Sequence, residues 1–172
     1  MVVKQIQSCY TVSRKNRERC AAMKDGRRAL PKGWQVRIGV IAAASLAGNL
    51  LVGVIPWPKD IMRAYEVSME PAVSQGLLFL VNTLAVAPLA EEAAFRLVLY
   101  GWLRRFMGYW PAALISALAF GMYHGNWIQG TYAFMTGMIL AWGYETSEYR
   151  KYTVAVLMHG AANLTALAVF GL

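Results

Sequence analysis

The sequence predicts an all-α protein, a polytopic transmembrane helical bundle of about five spans. Three observations lead there. Of the 172 residues 58% are hydrophobic and only 15% charged, whereas a soluble domain of this length carries more charge and shorter apolar runs. Several runs approach the roughly 20 apolar residues that a helix needs to cross a bilayer. The charge is also confined. Before Val40 ten Lys and Arg residues face two acids, Glu18 and Asp25, which accounts for the whole net charge of +8, and the rest of the chain carries seven of each sign.

That asymmetry divides the chain into a basic cytoplasmic tail, 1–35, and a transmembrane domain, 36–172. A basic tail beside a first span sets orientation by the positive-inside rule and can contact anionic lipid. It has no recognisable nucleic-acid module and no interleaved aromatics, so nucleic acid is not an expected partner. Cys9 and Cys20 lie in the tail without a CxxC or a His pair, which indicates free cytoplasmic thiols rather than a zinc site or a disulfide framework. Tail and following run are both too long for a typical cleaved signal peptide, and Met23 offers an alternative start that keeps Lys24, Arg27, Arg28, Lys32 and Arg37.

The first span, 36–55, stops at Pro56-Trp57-Pro58, and Asn49 is its only strongly polar interior residue. Residues 59–71 read as a mixed-charge loop. From 73 to 105 an apolar stretch would measure about 50 Å as a helix, longer than a bilayer is thick. The span within it is placed at 76–103, bent at Pro88, which removes one backbone bond and leaves the Leu84 carbonyl without its usual partner. Pro111 suits the first turn of the next helix, in the span 111–128, which ends near His124-Gly125-Asn126. The last two spans are 131–145 and 153–170. Arg104, Arg105, Arg150 and Lys151 then share the face of the tail, which puts the N-terminus inside and the C-terminus outside. Gly121 with Gly125, and Gly39 with Ala43, are small-residue pairs, each on one helix face, that would let backbones approach, although ordinary packing is the favoured reading.

Chemistry concentrates where the apolar pattern breaks. Glu91 and Glu92 sit inside the second span with Arg96 one turn on. An ionised side chain near the centre of a membrane helix costs about 2.5–3.5 kcal/mol on insertion scales, so three of them need a protein interior or a wet cavity. Glu92 and Arg96 are spaced to pair along one face, with Glu91 turned about 100° away. The only two histidines, His124 and His159, also lie on apolar helices. Phe120 and His124 are i, i+4, as are His159 and Asn163, so three helices each offer polar groups to one buried site.

Glu91-Glu92-Ala-Ala-Phe-Arg96, Phe120-Gly-Met-Tyr-His124 and His159-Gly-Ala-Ala-Asn163 fit EExxxR, FxxxH and HxxxN. In that order they resemble the three motifs of the CPBP family (CAAX proteases and bacteriocin-processing enzymes, also called Abi), a group of intramembrane endopeptidases. The resemblance spans Glu91 to Asn163, within a core at about 73–170. It implies a glutamate-type peptidase in which Glu91 with His124 activates a water while His159 with Asn163 stabilises the oxyanion, and Glu92, Arg96 and Phe120 support them. The residue chemistry agrees. A carboxylate in low dielectric holds a proton more readily than one in water, and Arg96 keeps one of the two acids charged, so the pair titrates as a unit. An imidazole and a carboxamide one turn apart offer two donors to a developing oxyanion.

The family has historically been described as metalloproteases, and two His with Glu are a conceivable zinc set. HExxH is absent, however, and each His is already paired with Phe or Asn, so no cofactor is expected and zinc is the less favoured alternative. The expected partners are the lipid bilayer and a membrane-tethered polypeptide substrate, cleaved in a bacterial or archaeal inner (cell) membrane. Two other classes compete. A non-catalytic immunity or scaffold protein would be signalled by a lost motif residue, and none is lost. A small proton-coupled transporter using Glu91 and His124 leaves the Asn163 spacing unexplained and lacks an apparent inverted repeat.

Overall fold

The computed structural model describes residues 29–170. It contains six helices: α1 (Trp34–Val54), α2 (Lys59–Gln75), α3 (Leu77–Leu103), α4 (Tyr109–Tyr123), α5 (Trp127–Thr146) and α6 (Lys151–Phe170). Among the described residues there is no strand, in agreement with the all-α expectation. Most of the basic tail, with Cys9 and Cys20, lies outside the described residues.

Helix α1, α3 and α6 are long and apolar enough to cross a membrane. Helix α4 has 15 residues, about 22 Å, and α5 has 20 but carries Gln129, Thr131 and Thr136. The expected five crossings are therefore met by three helices on length and apolarity. Helix α5 can be more polar because it packs against α1, α3, α4 and α6, so little of it must face lipid.

The segment read as a loop, 59–71, is helical and extends to Gln75. Ile61, Tyr65 and Met69 recur every fourth residue and are half-buried, while Asp60, Arg63 and Glu66 are exposed. This is an amphipathic face, and charge and Pro71 disguise it. Gly76 separates α2 from α3 with φ +47° and ψ −110°, a conformation that only glycine adopts readily, so the long apolar stretch starts later than its composition suggests.

Within α3 two π-helical segments, Asn82–Val86 and Ala93–Tyr100, flank a short α-helical one, Ala87–Glu92. Pro88 opens that middle segment and is buried. The missing proline N–H is thus met by i→i+5 pairing just upstream, with Ala87 N–H bonded to Asn82 O. Glu91 and Glu92 fall on the α-helical turn between the two π segments.

Close packing follows small residues, as expected where lipid is as apolar as the helix faces. A Cβ on Gly121 would lie 2.7 Å from the Gly130 carbonyl oxygen, and one on Gly130 2.9 Å from that of Gly121, so α4 and α5 cross with backbones in contact. The approach is made by Gly121 alone, against Gly130, because Gly125, its expected companion on the same face, has nothing within 4 Å of its Cβ direction. Gly125 has φ +71° and ends α4, with Asn126 then accepting from the Gln129 N–H at 2.8 Å to cap α5. Gly39 has nothing within 4 Å of its Cβ direction, so the Gly39–Ala43 pair is not a contact here.

One end of the bundle gathers the cations. Arg37 Nη2 donates to Thr146 O at 2.7 Å, Arg104 Nη2 to Glu145 Oε1 at 2.9 Å, and Lys151 Nζ to Glu145 O at 3.1 Å. Tyr100 OH completes the cluster by donating to Glu145 Oε2 at 2.7 Å. The start of α1, the end of α3, the end of α5 and the start of α6 therefore lie together, the side-sharing read from the Arg and Lys positions.

Candidate active site

The three motifs meet in the interior of the bundle. Glu92 and Arg96 are both fully buried, and Glu92 Oε2 lies 3.3 Å from Arg96 Nε. Arg96 Nη2 donates to Gly137 O at 3.2 Å, and its guanidinium lies 4.5 Å from the centroid of the Phe120 ring. A cation over an aromatic face is held by the ring's quadrupole as well as by its ion partner. Glu92 Oε1 accepts from His159 Nδ1 at 2.9 Å, so the carboxylate is hydrogen-bonded to α6 through one oxygen and ion-paired within α3 through the other, which makes no hydrogen bond.

Glu91 differs from its neighbour. It keeps 13% side-chain exposure, and its nearest charged contact is His159 Nε2, 3.6 Å from Oε2. His124 is close enough to interact electrostatically with it. One imidazole therefore stands between the two carboxylates.

Hydrogen-bond chemistry fixes how the rings present themselves. His124 Nδ1 lies 2.9 Å from Phe120 O, and a carbonyl only accepts, so Nδ1 carries the proton. The Glu92 carboxylate, paired with Arg96, likewise accepts a hydrogen bond from His159 Nδ1–H. In their neutral forms both rings then have Nε2 as an acceptor. Glu91 and His159 Nε2, two acceptors 3.6 Å apart, need a proton or a water between them.

Phe120 connects the parts. Its ring makes edge contacts with His124, centroids 4.9 Å apart, with His159 at 5.5 Å and with Phe95 at 5.2 Å. Asn163 is one turn beyond His159, and its Nδ2 donates to Thr83 O at 2.8 Å, in the first π segment. Glu91, Glu92, Arg96, Phe120 and His159 are thus linked by a chain of contacts, His124 joins them through Phe120, and Asn163, bonded to α3, lies one turn away. The carbonyls of Thr83 and Gly137 were not among the expected partners. A backbone acceptor has no signature in sequence, although Pro88, which forces irregular pairing nearby, marks the first of them.

Among the described residues no three His, Cys, Asp or Glu side chains form a group that could hold a metal ion. Glu92 is taken by Arg96 and His159, and Nδ1 of each imidazole is taken by an oxygen acceptor. That leaves Glu91 and the two Nε2 atoms as the acceptors still open, the atoms that either water activation or a metal would use.

No curated protein and no solved structure matches the chain. The family model for "Type II CAAX prenyl endopeptidase Rce1-like" proteins matches residues 73–165, which hold α3, α4, α5, most of α6, all three motifs and the whole cluster just described. With more than half of its length matched, this chain belongs to the Rce1-like CAAX endopeptidase family, the CPBP family.

Proposed function

We propose that the protein is an intramembrane endopeptidase in which Glu91 activates a water against a peptide bond of a membrane-tethered polypeptide. One observation carries the choice of base. Glu92 is fully buried, with one oxygen hydrogen-bonded to His159 and the other ion-paired with Arg96, while Glu91 retains partial exposure and lies 3.6 Å from His159 Nε2.

In this scheme a water donates one proton to Glu91, with His124 Nε2 as the second acceptor that orients it. The hydroxide oxygen bonds to the scissile carbonyl carbon, and the carbonyl π pair moves to oxygen. A protonated His159, its Nδ1–H on Glu92, presents Nε2–H to that oxyanion. Asn163 adds the amide N–H not used on Thr83. Collapse breaks the C–N bond, and the proton on Glu91 passes to the leaving nitrogen. Preorganised donors of this kind act most strongly where bulk water is excluded.

The matched family name points to prenylated CAAX sequences. Bacteriocin leaders and C-terminal sorting signals share the required chemistry, a scissile bond held at the bilayer by a lipid or hydrophobic tail. The basic end of the bundle faces the cytoplasm in this reading, by the positive-inside rule, and the host membrane is a bacterial or archaeal inner membrane. The test is cleavage, by protein reconstituted in nanodiscs, of two quenched fluorescent peptides, one prenylated at a cysteine and one ending in a hydrophobic segment. Cleavage of either that is lost in Glu91→Gln supports the proposal. Cleavage of neither, under conditions where the protein is folded, counts against it.

A further inference from the structure

Helix α1 lies outside the region that matches the family, yet it reaches the turn that carries the third motif. Ser45, in the middle of α1, is fully buried, and its Oγ donates to Ala162 O at 2.9 Å. Since a carbonyl only accepts, the second partner of that hydroxyl, Tyr132 OH at 2.7 Å, must be its donor. A directional relay therefore runs from Tyr132 on α5 through Ser45 on α1 to the backbone between His159 and Asn163 on α6.

The surroundings are built around this relay. Gly48, one turn on from Ser45, lies under the Tyr132 ring, where a Cβ would be 3.3 Å from the ring edge. Asn49 Nδ2 donates to Ser45 O at 2.9 Å. On its other side the same turn of α6 is tied to α3. His159 bonds Glu92, Asn163 bonds Thr83 O, and a Cβ on Gly160 would come within 3.1 Å of Leu84 O. The 159–163 turn is thus clamped from two directions, by α3 through its side chains and by α1 through its backbone.

We propose that Ser45, held by Tyr132, is a positioning residue that fixes the rotation and depth of the α6 turn and so aims His159 Nε2 at Glu91. Between membrane helices, hydrogen bonds and small-residue contacts set such rotations, because apolar burial distinguishes poorly between a helix and lipid. The residue touches neither substrate nor reacting atoms and acts through α6. This inference rests on the endopeptidase reading for its kinetic consequence but not for its structural one.

The two histidines allow a test that separates these. Ring-¹⁵N-labelled protein gives one set of imidazole signals for His124 and one for His159, assigned with single His→Gln variants. Ser45→Ala is expected to shift and broaden the His159 signals while leaving those of His124 in place. It should lower kcat about five- to tenfold with KM unchanged, as expected for loss of one buried hydrogen bond expressed in the transition state. Tyr132→Phe, which keeps the ring over Gly48, should give a smaller change of the same kind and carries the test if Ser45→Ala does not fold. Thr165→Val, which deletes a hydroxyl bonded only to Ala161 O in its own helix, should change neither readout. Unaltered His159 signals in both folded relay variants would overturn the positioning role. Equal shifts in His124 and His159 would also overturn it, since that is general loosening. Shifted His159 signals in a protein that cleaves no peptide would retain the role of Ser45 while removing the endopeptidase reading.

Discussion

Replacing Arg96 with Met tests how the buried charges are held. Arg96 is fully buried, pairs with Glu92 at 3.3 Å, donates to Gly137 O at 3.2 Å and covers the Phe120 ring at 4.5 Å. Met preserves most of the volume and the contact with the ring, so the loss is mainly the charge. Removing one partner of a buried ion pair strands the other and costs about 3–5 kcal/mol. Glu92→Gln alone strands Arg96 and should cost a similar amount. The double variant leaves no charge without a partner, and its cost should fall short of the sum of the singles by about 2 kcal/mol or more. Reversible unfolding in mixed micelles with increasing SDS supplies all three values. Additive costs, or a loss under about 1 kcal/mol in Arg96→Met, would show that Arg96 and Glu92 do not depend on each other in the folded state.

Two further perturbations address the packing and the chemistry. Gly121→Ala places a Cβ 2.7 Å from the Gly130 carbonyl oxygen, a backbone atom that cannot swing aside, so the same unfolding assay should register about 1–3 kcal/mol of destabilisation. A Gly121→Ala protein as stable as the parent would mean that α4 and α5 do not cross this closely. Peptide cleavage by the purified protein should survive prolonged EDTA or phenanthroline, and activity that vanished with chelator and returned with stoichiometric zinc would overturn the glutamate mechanism.

The helices that carry chemistry were legible because each motif pairs side chains at i, i+4 spacing in or at the end of an otherwise apolar run. Glu92–Arg96 is such a pair, and the structure forms it. Other features were not legible, for physical reasons. Residues 59–71 carry both charge signs and a proline, which masks the four-residue recurrence of Ile61, Tyr65 and Met69. The π segments of α3 alter hydrogen bonding over five and eight residues, too short a run to change an apolar pattern. Small-residue spacing marked Gly121 without deciding between ordinary packing and a backbone approach, and only the crossing of α4 and α5 identifies Gly130 as the partner. Ser45, a lone serine in an apolar helix, carries no sequence signal at all, since its significance lies in what α5 and α6 bring to it.

The division of labour between the two adjacent glutamates is the centre of the account, and one paired measurement addresses it. Glu91→Gln and Glu92→Gln are reconstituted side by side, and both cleavage rate and folded fraction are recorded. Glu91→Gln keeps the shape of a partly exposed side chain and removes its ability to take a proton. It should remain as stable as the parent while cleavage falls by about 10²- to 10⁴-fold, the contribution of a general base. Glu92→Gln should lose stability, through the stranded Arg96, and retain far more activity per folded molecule. A Glu91→Gln protein that still cleaves beside a folded Glu92→Gln protein that does not would contradict the assignment.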